Sequence, residues 1–334
     1  MKYKKWAKIW LENYIKPTLK NKTYWNYVSI CNNYVIKKFG EEELIDITPL
    51  KVQVYINELL GGKNKLSISS VNLIITVIQS SIKMAFLSNN LKSYNLGNIR
   101  RPHLEEKEIT CFSFEEQKMI ENKVWASKKK KMLGVIICLY TGMRIGELLA
   151  LTWNDVDIEK RIISINKTCH EGKNKNGIYQ RILNSPKTFS SKRMIPYPKQ
   201  LEIIFKLLKQ DNSIYVISYN QKPISVRSYQ KSFALMLKHA NIKHKGFHAL
   251  RHTFATRSIE CGVDVKTLSE ILGHKNATIT LNRYVHSLSN HKKDMMDKIG
   301  NLFNDNQEKF ISSSNDILDV QNSGIINDFS GLNQ

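Results

Sequence analysis

The residues that could do chemistry crowd into one part of the chain. Seven of the nine histidines fall between residues 239 and 291, within and around GFHALRHTFAT and LGHKNATITLNRYVH. His248 and Arg251 are spaced i, i+3, so on a helix they share a face and can meet one phosphate together. His274 follows Gly273, a residue type that caps helix C-termini, which puts the imidazole just past a helix end. Tyr284 is the only tyrosine after Tyr229. Far upstream, Arg144 sits in TGMRIGELLALTW, directly after a stretch that is apolar all round. A guanidinium on such an element needs a partner or a ligand.

A second reading takes His244, His248 and His252, at i, i+4, i+8, as a zinc site. Gly246 argues that the helix starts only after His244, and Lys243, Lys245 and Arg251 would repel a dication. No GxxxxGK[ST] phosphate loop occurs, and no cluster of Asp and Glu is placed to hold two Mg²⁺. The expectation is therefore no metal and no cofactor. A basic protein of this kind either only binds nucleic acid or cuts it with a side-chain nucleophile.

The charge balance points to that substrate. The chain has 334 residues and a net charge of +22, and its last 34 residues sum to −4, so residues 1–300 carry +26. An excess of this size calls for a polyanionic partner, nucleic acid before an anionic membrane. The longest uninterrupted apolar run, Met132 to Tyr140, is about half of the roughly 20 residues that span a bilayer. Lysines and Glu12 break up MKYKKWAKIWLENYIKP, so no signal peptide is expected. Five cysteines without a CxxC fit a reduced, cytoplasmic protein.

The elements that must position these residues can be read from periodicity. Residues 1–97 read as four helical patterns: one around Trp6, Trp10 and Tyr14, one from Tyr24 to Phe39, one from Pro49 to Leu60, and one starting after Ser67. Their aromatics are expected in an ordinary helical core. Residues 98–111 (NIRRPHLEEKEITC) break every periodicity and read as a linker, after which Ser113 to Glu116 supplies a capping box. In the second domain MLGVIICLYTGM reads as a buried helix and RIISINK as a strand. Gly172 to Gly177 is turn-rich, Arg181 to Pro198 is expected as a hairpin, and IYVIS as a short strand. Helices follow from Ser225 to about Gly300. The domain expectation is 1–97 helical DNA-binding domain, 98–111 linker, 112–303 catalytic domain and 304–334 acidic tail.

Four segments taken together carry a resemblance. TGMRIGELLALTWNDVD, SPKTFSSKRMIPYP, HALRHTFAT and LGHKNATITLNRYVH resemble, in order and spacing, the boxes of the tyrosine recombinases, the phage-integrase family. ITPLKVQVYINEL and LSISSVNLIITVIQSSIKMAFLSNNL resemble that family's helical core-binding domain, so the likeness covers about residues 1–300. The long excursion KTCHEGKNKNGIYQRILNSPKT looks like that of mobile-element integrases rather than chromosome-dimer resolvases. Many such integrases carry a further arm-binding domain at the N-terminus, whereas this sequence opens at the core-binding helices, through absence or truncation of that domain.

The resemblance implies a mainly α fold: a helical core-binding domain, then a mixed α+β catalytic domain with a small antiparallel sheet, together forming a DNA clamp. It implies Tyr284 as nucleophile, with Arg144, Lys187, His248, Arg251 and His274 completing the active site. A tyrosine with pKa near 10 needs a base, which His248 can supply. Arg144 and Arg251 can hold the charge on the non-bridging oxygens, His274 can donate a further hydrogen bond, and Lys187 can protonate the leaving 5′-oxygen. Glu147 matches an acidic position that orients neighbours, while His252 and His286 pack or support. The expected activity is site-specific recombination that integrates and excises a phage or conjugative transposon through a 3′-phosphotyrosyl bond. Expected partners are double-stranded attachment-site DNA, three further copies in a tetramer, and a directionality factor, with no membrane. Residues 288–302 are expected to dock on a neighbouring copy. The alternatives are a type IB topoisomerase-like enzyme or a catalytically silent DNA-binding protein of the same fold.

Overall fold

The computed structural model describes residues 1–62, 65–88, 96–104, 110–184 and 192–274, and singly 276, 278, 280, 296, 297, 299 and 300. The chain divides into two compact units. One is Met1–Glu108 with Cys169–Asn184, the other Ile109–Thr168 with Ser185–Gln334. The sequence assigns residues 169–184 to the second domain, but by packing they belong with the first.

The first unit is helical. α1 runs from Tyr3–Trp10 through a π-helical stretch, Leu11–Ile15, to Lys16–Thr18. α2 repeats the device, Asn21–Ile30 continuing through Cys31–Val35 to Ile36–Phe39. α3 is Pro49–Gly61, capped by the Thr48 hydroxyl with Pro49 at the first helical position, where a missing N–H costs nothing. α4 is Ile68–Ser88. By length and composition α4 could cross a bilayer. A search for unbroken apolar runs misses it because Ser69, Ser70, Asn72, Thr76 and Gln79 interrupt the pattern. Here it is a core helix: Val71, Ile74, Ile75, Val77, Ile78, Ile82 and Ala85 are buried against Tyr3, Trp6, Trp10 and Phe39. Its buried polar residue is satisfied, since the Tyr3 and Ser81 hydroxyls meet at 2.8 Å and Trp6 Nε1 donates to Ser81 O at 2.8 Å.

In the second unit α5 (Phe114–Ala126) starts at the expected capping box, with Ser113 Oγ accepting from Glu116 N. α6 (Leu133–Thr141) is buried almost throughout and α7 (Ile145–Leu148) follows after three residues. β1 (Val156–Asp157) and β2 (Ile162–Ile165) begin the sheet. Among the described residues β3 (Thr168–Lys173) and β4 (Tyr179–Asn184) pair only with each other, and their hairpin belongs to the first unit. There Asn21 Nδ2 donates to Lys173 O at 2.6 Å and Trp25 Nε1 to Asn174 O at 3.1 Å.

β5 (Arg193–Pro196) returns to β2 antiparallel, in register Ile163↔Ile195 and Ser164↔Met194, giving a sheet of order β1-β2-β5. The hairpin expected over Arg181 to Pro198 is thus two structures: Arg181–Asn184 closes on β3, and Arg193–Pro196 completes the small antiparallel sheet. α8 is Leu201–Lys209. The strand expected over IYVIS is displaced. β6 is Ser218–Tyr219, paired with β7 (Lys222–Pro223), while Tyr215 makes only an isolated bridge to Thr152. α9 (Val226–His239), α10 (His248–Glu260) and α11 (Val265–Leu272) complete the unit.

Candidate active site

Three chain reversals build the site. α6 ends on Gly142 in the left-handed conformation, φ 64°. A Cβ there would lie 2.5 Å from Phe254 Cδ1 and 2.8 Å from Leu272 Cδ2, so the TGM turn accepts only glycine. Arg144 follows as the residue before α7, and its backbone N–H donates 2.9 Å to Glu147 Oε2. α11 ends the same way, with Gly273 at φ 64° and a Cβ there meeting Arg193 Cδ at 2.9 Å, which places His274 one residue beyond the helix. α10 starts at His248, after Gly246, so His248 and Arg251 lie one turn apart at its N-terminal end.

Arg251 joins two of these reversals. Its side chain is almost fully buried. Nη1 donates to Gly142 O at 2.9 Å, and Nη2 to Leu272 O at 2.8 Å. Both acceptors lie at helix C-termini, where the aligned peptide dipoles leave partial negative charge to offset a buried cation. Nη2 also approaches His274 Nε2 at 2.9 Å, while His274 Nδ1 lies 2.7 Å from the buried Thr280 hydroxyl. An arginine only donates, so Nε2 is the acceptor and the imidazole carries its proton on Nδ1, toward Thr280. In this state His274 steadies Arg251 and presents no Nε2–H. To donate to a phosphate oxygen, as the sequence expects, it must exchange that bond.

Arg144 is more open, with its side chain 36% exposed. Nη1 donates to Glu147 Oε1 at 2.9 Å, and Nη2 reaches Gly273 O at 3.5 Å. Glu147 is buried, which by itself would raise its pKa. Hydrogen bonds from Arg193, with the charges of Arg193 and Arg144, outweigh the burial and hold it at about 2. Burial pushes the neighbouring Cys138 thiol up, and the Glu147 charge adds to that.

Of the sequence-derived site residues, Arg144, Arg251 and His274 converge on the Gly142 and Gly273 turns. His248 is at the exposed N-terminal residue of α10, its ring edge-on to His252 at 4.7 Å between centroids. Lys187 and Tyr284 lie outside the described residues, as do His286 and most of 288–302. His244 stands in the loop before α10 rather than on its face. Among the described residues, His244, His248 and His252 included, no group of three His, Cys, Asp or Glu is placed to hold a metal ion. Glu147, expected to orient its neighbours, accepts from both the backbone N–H and the guanidinium of Arg144. What the sequence reading missed is Arg193, six residues after Lys187 in SPKTFSSKRMIPYP. The arginine in PKT-x-x-S-x-R-x-IP was the available signal.

Comparison with known proteins decides the family. A model described as the phage integrase family matches residues 113–291, more than half the chain, and one for the phage integrase N-terminal SAM-like domain matches residues 2–60. The chain belongs to the phage integrase family. This integrase-family chain is 28% identical over 322 residues to a tyrosine recombinase XerC-like protein of Caldanaerobacter subterraneus, covering 88% of this chain and 81% of the relative. It is 26% identical over 294 residues to the ICEBs1 integrase of Bacillus subtilis, covering 84% and 77%. Its fold is that of the integrase of transposon Tn1549 in complex with transposon right end DNA, with a TM-score of 0.73 at 21% identity over 90% of this chain and 100% of the other. A lambda integrase tetramer bound to a Holliday junction gives a TM-score of 0.65 at 19% identity over 84% and 77%. The integrase is a site-specific recombinase with a mainly α fold and a small antiparallel sheet.

Proposed function

We propose that this recombinase integrates and excises a mobile element, a phage or a conjugative transposon, by cutting and rejoining its attachment-site DNA as a homotetramer. The observation that carries the reading is the convergence of Arg144, Arg251 and His274 on two glycine turns. Arg144 offers an accessible guanidinium to a phosphodiester, and Arg251 is fixed behind it by helix-end carbonyls. In the proposed cycle the Tyr284 oxygen attacks the scissile phosphorus while His248 takes the phenolic proton. The bond to the 5′-oxygen breaks, and Lys187 gives that oxygen a proton. The two arginines neutralise the charge that gathers on the non-bridging oxygens. The 3′-phosphotyrosyl bond stores the phosphodiester energy until a 5′-hydroxyl of the partner duplex attacks it and releases Tyr284. The ICEBs1 and Tn1549 integrases support the mobile-element reading over a topoisomerase, and the lambda integrase tetramer supports the assembly. A directionality factor, which would choose between integration and excision, belongs to the same reading.

The test is covalent trapping. Sequencing the DNA beside this reading frame for a repeated attachment site supplies the substrate, and a nicked duplex built from that repeat should capture the protein on the 3′ side of the break. Tyr284→Phe should abolish the adduct and leave duplex binding within about 2-fold, because only a hydroxyl is lost. An undiminished adduct in that variant refutes the assignment.

A further inference from the structure

Arg193 opens β5, the first described strand after the segment that carries Lys187. Its side chain is only 6% exposed, and all three of its nitrogens donate. Nε donates to Ile271 O at 2.6 Å, Nη1 to Glu147 Oε1 at 3.1 Å and Nη2 to Glu147 Oε2 at 2.9 Å. The fork on Glu147 is bidentate, the geometry that fixes a carboxylate in direction as well as in place. Each carboxylate oxygen is then shared with Arg144, Oε1 with its Nη1 and Oε2 with its backbone N–H. The other bond of the Arg144 side chain, 3.5 Å to Gly273 O, is too long to set its direction. The Cδ of Arg193 meanwhile lies 2.9 Å from where a Cβ of Gly273 would be, against the turn that presents His274.

We propose that Arg193 is a positioning residue for strand cleavage: it aims Glu147 so that Glu147 aims Arg144, and it braces the strand after Lys187 against the end of α11. A buried ion pair made for stability alone gains little over a well-packed apolar pair. What an apolar pair cannot do is present two oriented oxygens to a third group, and here that group is the guanidinium assigned to the phosphate. The charged and titratable groups facing Glu147 are Arg144 beside it, Arg193 from β5 and Cys138 from α6, with Arg251 of α10 beyond Cys138. The proposal rests on the reading of Arg144 as a phosphate-binding residue.

Single-turnover adduct formation on the nicked repeat duplex, with binding measured in parallel, tests it. Arg193→Gln should slow adduct formation about 10–100-fold, the usual cost of losing an orienting partner, with duplex binding within about 3-fold. Arg193→Lys, which keeps the charge but loses the fork, should recover part of the rate. In an Arg144→Ala background, adding Arg193→Gln should cost less than about 3-fold more, because both changes remove one function. A wild-type rate for Arg193→Gln, or a full multiplicative loss in the double variant, overturns the proposal. If Arg193→Gln does not fold, Glu147→Gln/Arg193→Gln removes both buried charges. The positioning role predicts that this folded double variant still cleaves slowly, and a near-normal rate overturns it. If Arg144→Ala itself cleaves normally, the active-site reading falls and this proposal with it. A crippled Arg144→Ala beside an unaffected Arg193→Gln keeps that reading and removes Arg193 alone.

Discussion

Glu147 makes a measurable statement about stability as well as geometry. Its ordinary carboxylate value is 4.5 and its folded value is about 2, with its side chain 5% exposed between Arg193 and Arg144. A group whose folded pKa lies below its unfolded one stabilises the fold above the unfolded value and loses that contribution as pH falls through the folded one. At about 1.4 kcal/mol per unit, the difference contributes about 3 kcal/mol at pH 7. Because folded Glu147 is still mostly ionised at pH 3, about 1.4 kcal/mol remains there, so about 2 kcal/mol is lost between pH 7 and pH 3. Glu147→Gln keeps the shape and removes the titration. Urea unfolding, followed by pulse hydrogen exchange on peptides covering α7 and β5, reads the second unit by itself. The stability gap between wild type and Glu147→Gln should narrow by about 2 kcal/mol over that range. A gap that stays constant from pH 7 to pH 3 would show that the Arg193 and Arg144 contacts do not hold this carboxylate ionised, and the argument would fail.

Two other outcomes check the proposed chemistry and assembly. If Lys187 protonates the leaving oxygen, Lys187→Ala should cripple cleavage of an ordinary phosphodiester. A substrate with sulfur in the 5′-bridging position needs no protonation and should rescue it, but not Arg144→Ala; rescue of both, or of neither, removes Lys187 from that role. If residues 288–302 dock on a neighbouring copy, deleting from residue 287 onward should weaken cooperative assembly on a two-arm site, read by gel shift, more than binding to one half-site. Equal cooperativity refutes docking between copies.

What could be read from the sequence divides along a physical line. Local signals were legible: the four helical patterns of the first unit, the capping box at Ser113, the helix start after Gly246, and the turn at Gly273. Each depends on residues within a few positions of one another, so spacing and residue type carry the information. The Arg144–Glu147 pair was within reach for the same reason, at i, i+3. The bidentate clasp of Arg193 on Glu147 spans 46 positions and its bond to Ile271 O spans 78, and no periodicity records either. The tautomer of His274 depends on Arg251, 23 positions away, and on Thr280. The pairing of β3 with β4, rather than one hairpin over Arg181 to Pro198, was decided by strand partners that alternation alone cannot name. α4 was legible as a helix from its apolar spacing, but its length and overall apolarity were not, because polar residues interrupt the run while leaving the buried face whole.

In the proposed active site the arrangement of charge answers one constraint, that a phosphodiester must be met by cations already in place. A guanidinium that turned to the phosphate only during cleavage would pay its reorganisation at the barrier; one held beforehand does not. The chain holds its two arginines by different means. Arg251 is stored inside the protein on the carbonyls that close α6 and α11, and Gly142 and Gly273 let those helix ends turn without a Cβ in the way. Arg144 must stay accessible, so it cannot be buried on carbonyls. It is steered from behind by a carboxylate that is itself buried and doubly held. The negative charge of Glu147 would oppose a phosphate if it stood alone. With Arg193 bound bidentately behind it, the group of Arg144, Glu147 and Arg193 carries a net single positive charge. In the proposed positioning role Arg193 therefore serves electrostatics as well as direction: it would let a carboxylate aim Arg144 without cancelling the charge that Arg144 offers to DNA.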